Sequence, residues 1–239
     1  MRSRLRLIIL SLSVFFSWQV KAEINKYTAV LYKQGSKKAE KLYNLKVETT
    51  PVTPEGKSEV TAVYSDLEGQ ILVEEKSQLE GSKLLKYQVD HKQSGQKGSV
   101  EVKDNKVYFS HTQDGKTKTA EESLKSTLVI SGNFSRFVKD HWDQVKAGKD
   151  VGFRYAAWQR RETVGFEIFK IGEEKINGED AIVVKMKPSS FIIAALVKPL
   201  LFKYSAEGAR LLELNGRVPP MEKKGGDFKD LDAEVVYSY

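Results

Sequence analysis

Apolar and polar residues alternate with period two along most of this chain, and turn-forming residues interrupt them at short intervals. Tyr27, Ala29 and Leu31 alternate with Lys26, Thr28 and Val30 until Gly35-Ser36 breaks the run. Tyr43, Leu45 and Val47 alternate with Asn44, Lys46 and Glu48 before a loop over 51–56. Val60, Ala62 and Tyr64 follow, then residues 71–74, then Leu85, Tyr87 and Val89. Successive strand side chains point to opposite faces, so this pattern predicts antiparallel strands with one face buried and one wet. Asp104-Asn105 joins strands over 99–103 and 106–112, and Asn177-Gly178 precedes a returning strand over 181–186. Both pairs suit two-residue hairpin turns. Asp114-Gly115 marks another tight turn. Further strands are predicted over 152–158, 164–171, 200–204, 209–214 and 233–239, with Gly225-Gly226 in a loop. A boundary near 120–132 is conceivable, but one continuous sheet is simpler.

Two stretches break the alternation. Phe134, Phe137, Val138, His141, Trp142 and Val145 recur at helical spacing and form one apolar stripe. Asn133 is expected as the N-cap, with Gly148 as the stop, so the spacing predicts a helix over 133–146. Residues 191–197 are wholly apolar, preceded by Ser189-Ser190 and followed by Lys198-Pro199. A short apolar helix ending at Pro199 is predicted there. Both helices are expected to pack on the sheet.

The N-terminus predicts export. Arg2, Arg4 and Arg6 precede an apolar run over 7–16, and Val20-Lys21-Ala22 presents a signal-peptidase site. The run is roughly ten residues, about half of a bilayer-spanning helix. A signal peptide over 1–22 is expected to leave a single antiparallel β domain over 23–239, located in the periplasm. Net charge then falls from +7, because the only charges removed are Arg2, Arg4, Arg6 and Lys21. The remaining +3 is too mild and too interleaved to indicate a nucleic-acid partner. The chain contains no Cys. That excludes disulfides, thiolate metal sites, a Cys nucleophile and a lipidated N-terminal Cys.

No residue constellation advertises catalysis. His91, His111 and His141 lack metal-ligand spacing, no G-x-S-x-G elbow is present, and no glycine-rich phosphate loop occurs. Glu121-Glu122 and Glu173-Glu174 are adjacent, so on strands their side chains diverge. No catalytic residue, metal or cofactor is therefore expected. The 191–202 run is the better functional candidate, because a segment this apolar belongs in a core, over a ligand or against lipid.

Residues 166–217 carry a resemblance. Phe166 to Glu174, Ile176-Asn177-Gly178, Ala181 to Val184 and Lys198-Pro199-Leu200-Leu201 run in order to Gly208 and Leu211. This strand, hairpin, returning strand and apolar-Pro segment resembles bacterial periplasmic proteins of unknown function with a half-barrel, lipoprotein-carrier-like fold. The resemblance implies a curved, open sheet around an apolar cavity plugged by helices, and it carries over no catalytic residue. The expected architecture is thus mainly β: an open antiparallel half-barrel with one amphipathic and one short apolar helix. The expected role is non-enzymatic binding or carriage of an apolar, lipid-like ligand. Phe134, Phe137, Phe191, Ile192, Leu196 and Leu200 are the candidate lining residues. Envelope proteins are possible partners. The alternatives are a periplasmic structural or protein-interaction module with a filled core, and an outer-membrane β-barrel.

Overall fold

A computed structural model describes residues 25–194 and 198–239. The expected signal peptide over 1–22, its cleavage point and Leu196 lie outside the described residues. Eight strands open the fold in a meander: β1 (Asn25–Lys33), β2 (Lys41–Thr49), β3 (Lys57–Ser65), β4 (Ile71–Glu80), β5 (Lys83–His91), β6 (Gln96–Lys103), β7 (Lys106–Gln113) and β8 (Lys116–Ser123). A two-residue strand, β9 (Leu128–Val129), leads into helices α1 (Ser131–Asp140) and α2 (Trp142–Lys146). A second meander follows: β10 (Val151–Ala157), β11 (Glu162–Ile176), β12 (Glu179–Pro188), β13 (Leu200–Ser205), β14 (Leu211–Lys224) and β15 (Asp227–Ser238), with helix α3 (Phe191–Ala194) between β12 and β13.

Among the described residues these strands make one 15-stranded sheet. Its spatial order is β8 through β1, then β15 through β9, so the first and last strands meet at the centre with Leu31 opposite Val235. Pairing is antiparallel except between β9 and β10. The sheet is curved and unclosed, and it forms the expected half-barrel. The hairpin chemistry explains why neighbours in sequence are neighbours in space. Asp104 and Asn105 both adopt positive φ (48° and 58°), as do Asn177 and Gly178 (50° and 87°), which a primed two-residue turn requires.

On β4, Val73, Glu75, Ser77 and Leu79 face the buried concave side, while Glu74, Lys76, Gln78 and Glu80 face outward. A polar convex face is the reverse of a membrane barrel, whose outer band is apolar. The outer-membrane alternative fails on this polarity and on the open sheet.

Three sequence expectations need correction. The amphipathic helix begins at Ser131, and Asn133 is a buried third-position residue rather than the N-cap. Its Oδ1 accepts the Ile130 N–H at 2.7 Å, and its Nδ2 donates to the carbonyls of Ser82 and Leu128 at 2.9 and 3.0 Å. Long-range carbonyls therefore draw the amide into the core. The helix is also broken at His141, which separates α1 from α2. Gly225-Gly226 is a hairpin turn between long strands rather than a loop, with Lys224 opposite Asp227. Finally, α3 is a four-residue turn of helix whose Phe191 and Ile192 point into solvent instead of packing on the sheet. The concave face is already occupied by α1, α2 and their aromatic rings.

Side chains and carbonyls tie the two meanders together across the interior. β14 bulges between Val218 and Met221, and the Pro219 carbonyl accepts from His91 Nε2 at 3.0 Å. The Met221 carbonyl accepts from Tyr43 Oη at 2.9 Å and from Gln93 Nε2 at 3.1 Å. Trp158, just after β10, lies on the concave face of β6. A Cβ at Gly98 would fall 2.3 Å from its indole, so glycine alone permits that approach.

Candidate functional site

Phe134 and Phe137 project from α1 into a packed aromatic layer. The rings of Phe134 and Phe202 are 4.7 Å apart and those of Phe137 and Phe153 are 4.9 Å apart. Phe134 is 8% exposed and Phe137 is 1% exposed. Leu200, at the start of β13, is half-buried against the same layer. The fold thus brings three of the candidate residues together, in filled core. Phe191 and Ile192 stand apart from them, 89% and 75% exposed.

The segment bearing those two side chains is anchored at both ends by glycine contacts. The Ser189 N–H donates to the Gly165 carbonyl at 3.0 Å, and a Cβ at Gly165 would lie 2.4 Å from Ser189 Oγ. At the other end Leu200 lies over Gly216, whose φ of +144° and close approach to the Leu200 side chain both suit glycine. The Ser189 contact therefore holds the start of the short helix beside β11, with two large apolar side chains outward.

Two shallow, charged concavities border α2, at the far ends of β12 and β13 from α3. One, about 400 Å³, is bordered by Lys146, Lys170, Glu173, Glu174 and Asp180. The other, about 280 Å³, lies between α2 and the β13–β14 turn, bordered by Lys139, Asp140, Asp143, Lys146 and Glu207. None of the described candidate apolar residues, Phe134, Phe137, Phe191, Ile192 and Leu200, borders either.

Glu75, which the sequence reading passed over, is the buried carboxyl of the concave face. Its Oε1 accepts from Tyr87 Oη at 2.6 Å and from Ser131 Oγ at 3.2 Å. Burial pushes its pKa above the ordinary carboxyl value, and these two hydrogen bonds only partly offset that. Burial, and then the Glu75 charge, likewise raise the hydroxyl pKa values of Tyr64, Tyr87 and Tyr155. The period-two pattern contained the signal, because Glu75 lies two residues from both Val73 and Ser77. Tyr204 adds another polar group to the interior, a buried hydroxyl without a hydrogen-bond partner among the described residues.

The histidines occupy structural positions. His91 receives the Ser94 hydroxyl at Nδ1 (3.0 Å) while donating from Nε2 to Pro219. His111 meets Gln96 Oε1 at 3.0 Å and sits edge-on to Trp158. His141 Nδ1 donates to the Phe137 carbonyl at 2.8 Å. The adjacent carboxylates diverge as their strand positions require: Glu121 pairs with Lys106, whereas Glu122 accepts the Thr163 N–H.

No protein-family profile and no curated protein matches this sequence. Among solved structures, the chain is similar to a beta-barrel-like protein of domain of unknown function DUF1849 from Brucella abortus. That likeness has 9% identity and a TM-score of 0.44, over 89% of this chain and 92% of the other. A putative outer membrane lipoprotein-sorting protein domain from Vibrio parahaemolyticus aligns over 90% of this chain and 83% of its own, at 7% identity and a TM-score of 0.29. A LolA superfamily protein from Nitrosomonas europaea aligns over 92% and 86%, at 10% identity and a TM-score of 0.24.

Proposed function

We propose that this is an exported, non-catalytic binding protein that engages an apolar, lipid-like ligand at the α3 rim of its half-barrel. The observation that carries the reading is the anchored presentation of Phe191 and Ile192 to solvent. Fully burying a side chain of this size contributes about 1.5–3 kcal/mol, so an occupant of the rim gains from covering both. The charged N-terminus, apolar run and small residues before Glu23 support export to the periplasm. The filled layer around Phe134 and Phe137 supports contact at the rim ahead of any entry into the interior.

A second reading rests on that same filled layer: a structural or protein-interaction module with no apolar small-molecule ligand. Titration with a fluorescent fatty-acid probe separates the two. The rim reading expects saturable binding that Phe191→Ser combined with Ile192→Ser weakens, with thermal stability unchanged because both side chains are exposed. An absence of probe binding in the parent protein leaves the interaction module.

A further inference from the structure

The outermost strand β8 has the sequence Lys-Thr-Lys-Thr-Ala-Glu-Glu-Ser, with both basic residues in its first half and both acidic residues in its second. It ends one side of the sheet, and the opposite end is the two-residue β9, so β8 is the long free edge of the described residues.

The hydrogen-bond phase of that edge follows from its inner side. Leu124 N–H donates to the Asn105 carbonyl at 2.9 Å, extending the ladder in which Lys106 faces Ser123. In an antiparallel ladder bonded and non-bonded positions alternate, so the even-numbered residues of β8 direct their backbone groups to β7. Thr117, Thr119 and Glu121 therefore present theirs outward. The nearby β10–β11 hairpin leaves this edge open. Trp158 meets Gly98 and His111, which lie on one rung with Lys118, and the Thr163 N–H donates to one oxygen of Glu122, so the hairpin lies over the concave face rather than the free side.

We infer that a second copy of this chain pairs antiparallel along β8, in a register centred on Thr119, joining two half-barrel sheets into one. Thr119 then bonds Thr119 of the second copy, and Thr117 bonds its Glu121, using only the outward backbone groups. On the concave face Lys116 falls opposite Glu122 of the second copy, and Lys118 lies diagonal to it. Opposite charges directly across a ladder stabilise pairing, and like charges oppose it. Parallel self-pairing would set lysine against lysine. The lysines that discourage arbitrary strands from adding to an edge here favour one partner and one direction. The arrangement is closed and two-fold, as most homodimers are.

Sedimentation equilibrium of the purified protein from about 10 µM to about 1 mM tests this, a range suited to an interface built on one strand pair. A reversible monomer–dimer equilibrium is expected. Thr119→Pro removes an outward N–H without touching the bonds to β7, so its far-UV circular dichroism should match the parent while the dimer is lost. Lys116→Glu combined with Lys118→Glu should raise the dissociation constant about ten-fold, and mixing it with Glu121→Lys/Glu122→Lys should restore association. A parent protein that stays monomeric throughout, or a dimer indifferent to both the proline and the charge reversals, overturns the inference. The charge pair keeps it testable if the proline variant misfolds.

Discussion

Glu75 places a carboxyl in the interior of the fold, hydrogen-bonded to Tyr87 and Ser131. Its carboxyl pKa is raised by burial, so the folded state holds the proton more tightly than the unfolded chain does. The stability this contributes is fully present below the ordinary carboxyl pKa and is lost as pH rises through the folded value. Glu75→Gln keeps an acceptor for Tyr87 and Ser131 but cannot ionise. Thermal melts across pH should therefore show the variant gaining on the parent above the folded pKa, and no gain near pH 4. A gain independent of pH would contradict a carboxyl pKa raised by burial. Tyr204 makes a complementary case. An unpartnered buried hydroxyl costs about 1–3 kcal/mol, so Tyr204→Phe should raise stability by about 1 kcal/mol in denaturant titrations. A loss of stability would mean that the hydroxyl has a partner.

Among the elements, the hairpins were the most legible in the sequence because their causes are local. Asp104-Asn105 and Asn177-Gly178 carry the backbone preference of the turn in two residues. The start of α1 was not legible, since Asn133 is held by Ser82 and Leu128 and neither contact has a sequence signature. β8 gives little signal because Lys116–Ser123 contains almost no apolar residues and is mostly exposed, so its pattern is not amphipathic. The placement of α3 was hidden for another reason. Whether an apolar helix packs inward depends on how much of the concave face is already filled, and here Phe134, Phe137, Trp142 and their partners occupy it. Trp142 is buried against Tyr204 and donates its indole N–H to the Ala206 carbonyl at 3.3 Å. Trp142→Ala should cost about 3–5 kcal/mol in chemical denaturation, whereas an effect under about 1 kcal/mol would mean that α2 is not held by this ring.

At the scale of the whole molecule, one sheet brings β1 and β15 together at its centre and curls both meanders over a shared interior. The Pro219 and Met221 carbonyls and the Trp158 contact with Gly98 fasten one side to the other. Alternation along β1 and β2 foretold which face would be buried, with Ala29, Leu31, Leu45 and Val47 inward, and the resemblance over 166–217 foretold the open curvature. The functional claim concerns what this frame leaves outside: two large apolar side chains, anchored through Gly165 and Gly216 and turned to solvent. Mass spectrometry of organic extracts from the protein, purified without detergent from the compartment that receives it, tests that claim most directly. The account predicts an apolar, lipid-like molecule that co-purifies with the parent protein and is depleted from the Phe191→Ser/Ile192→Ser variant. Extracts free of any such molecule, or equally loaded in parent and variant, would contradict it.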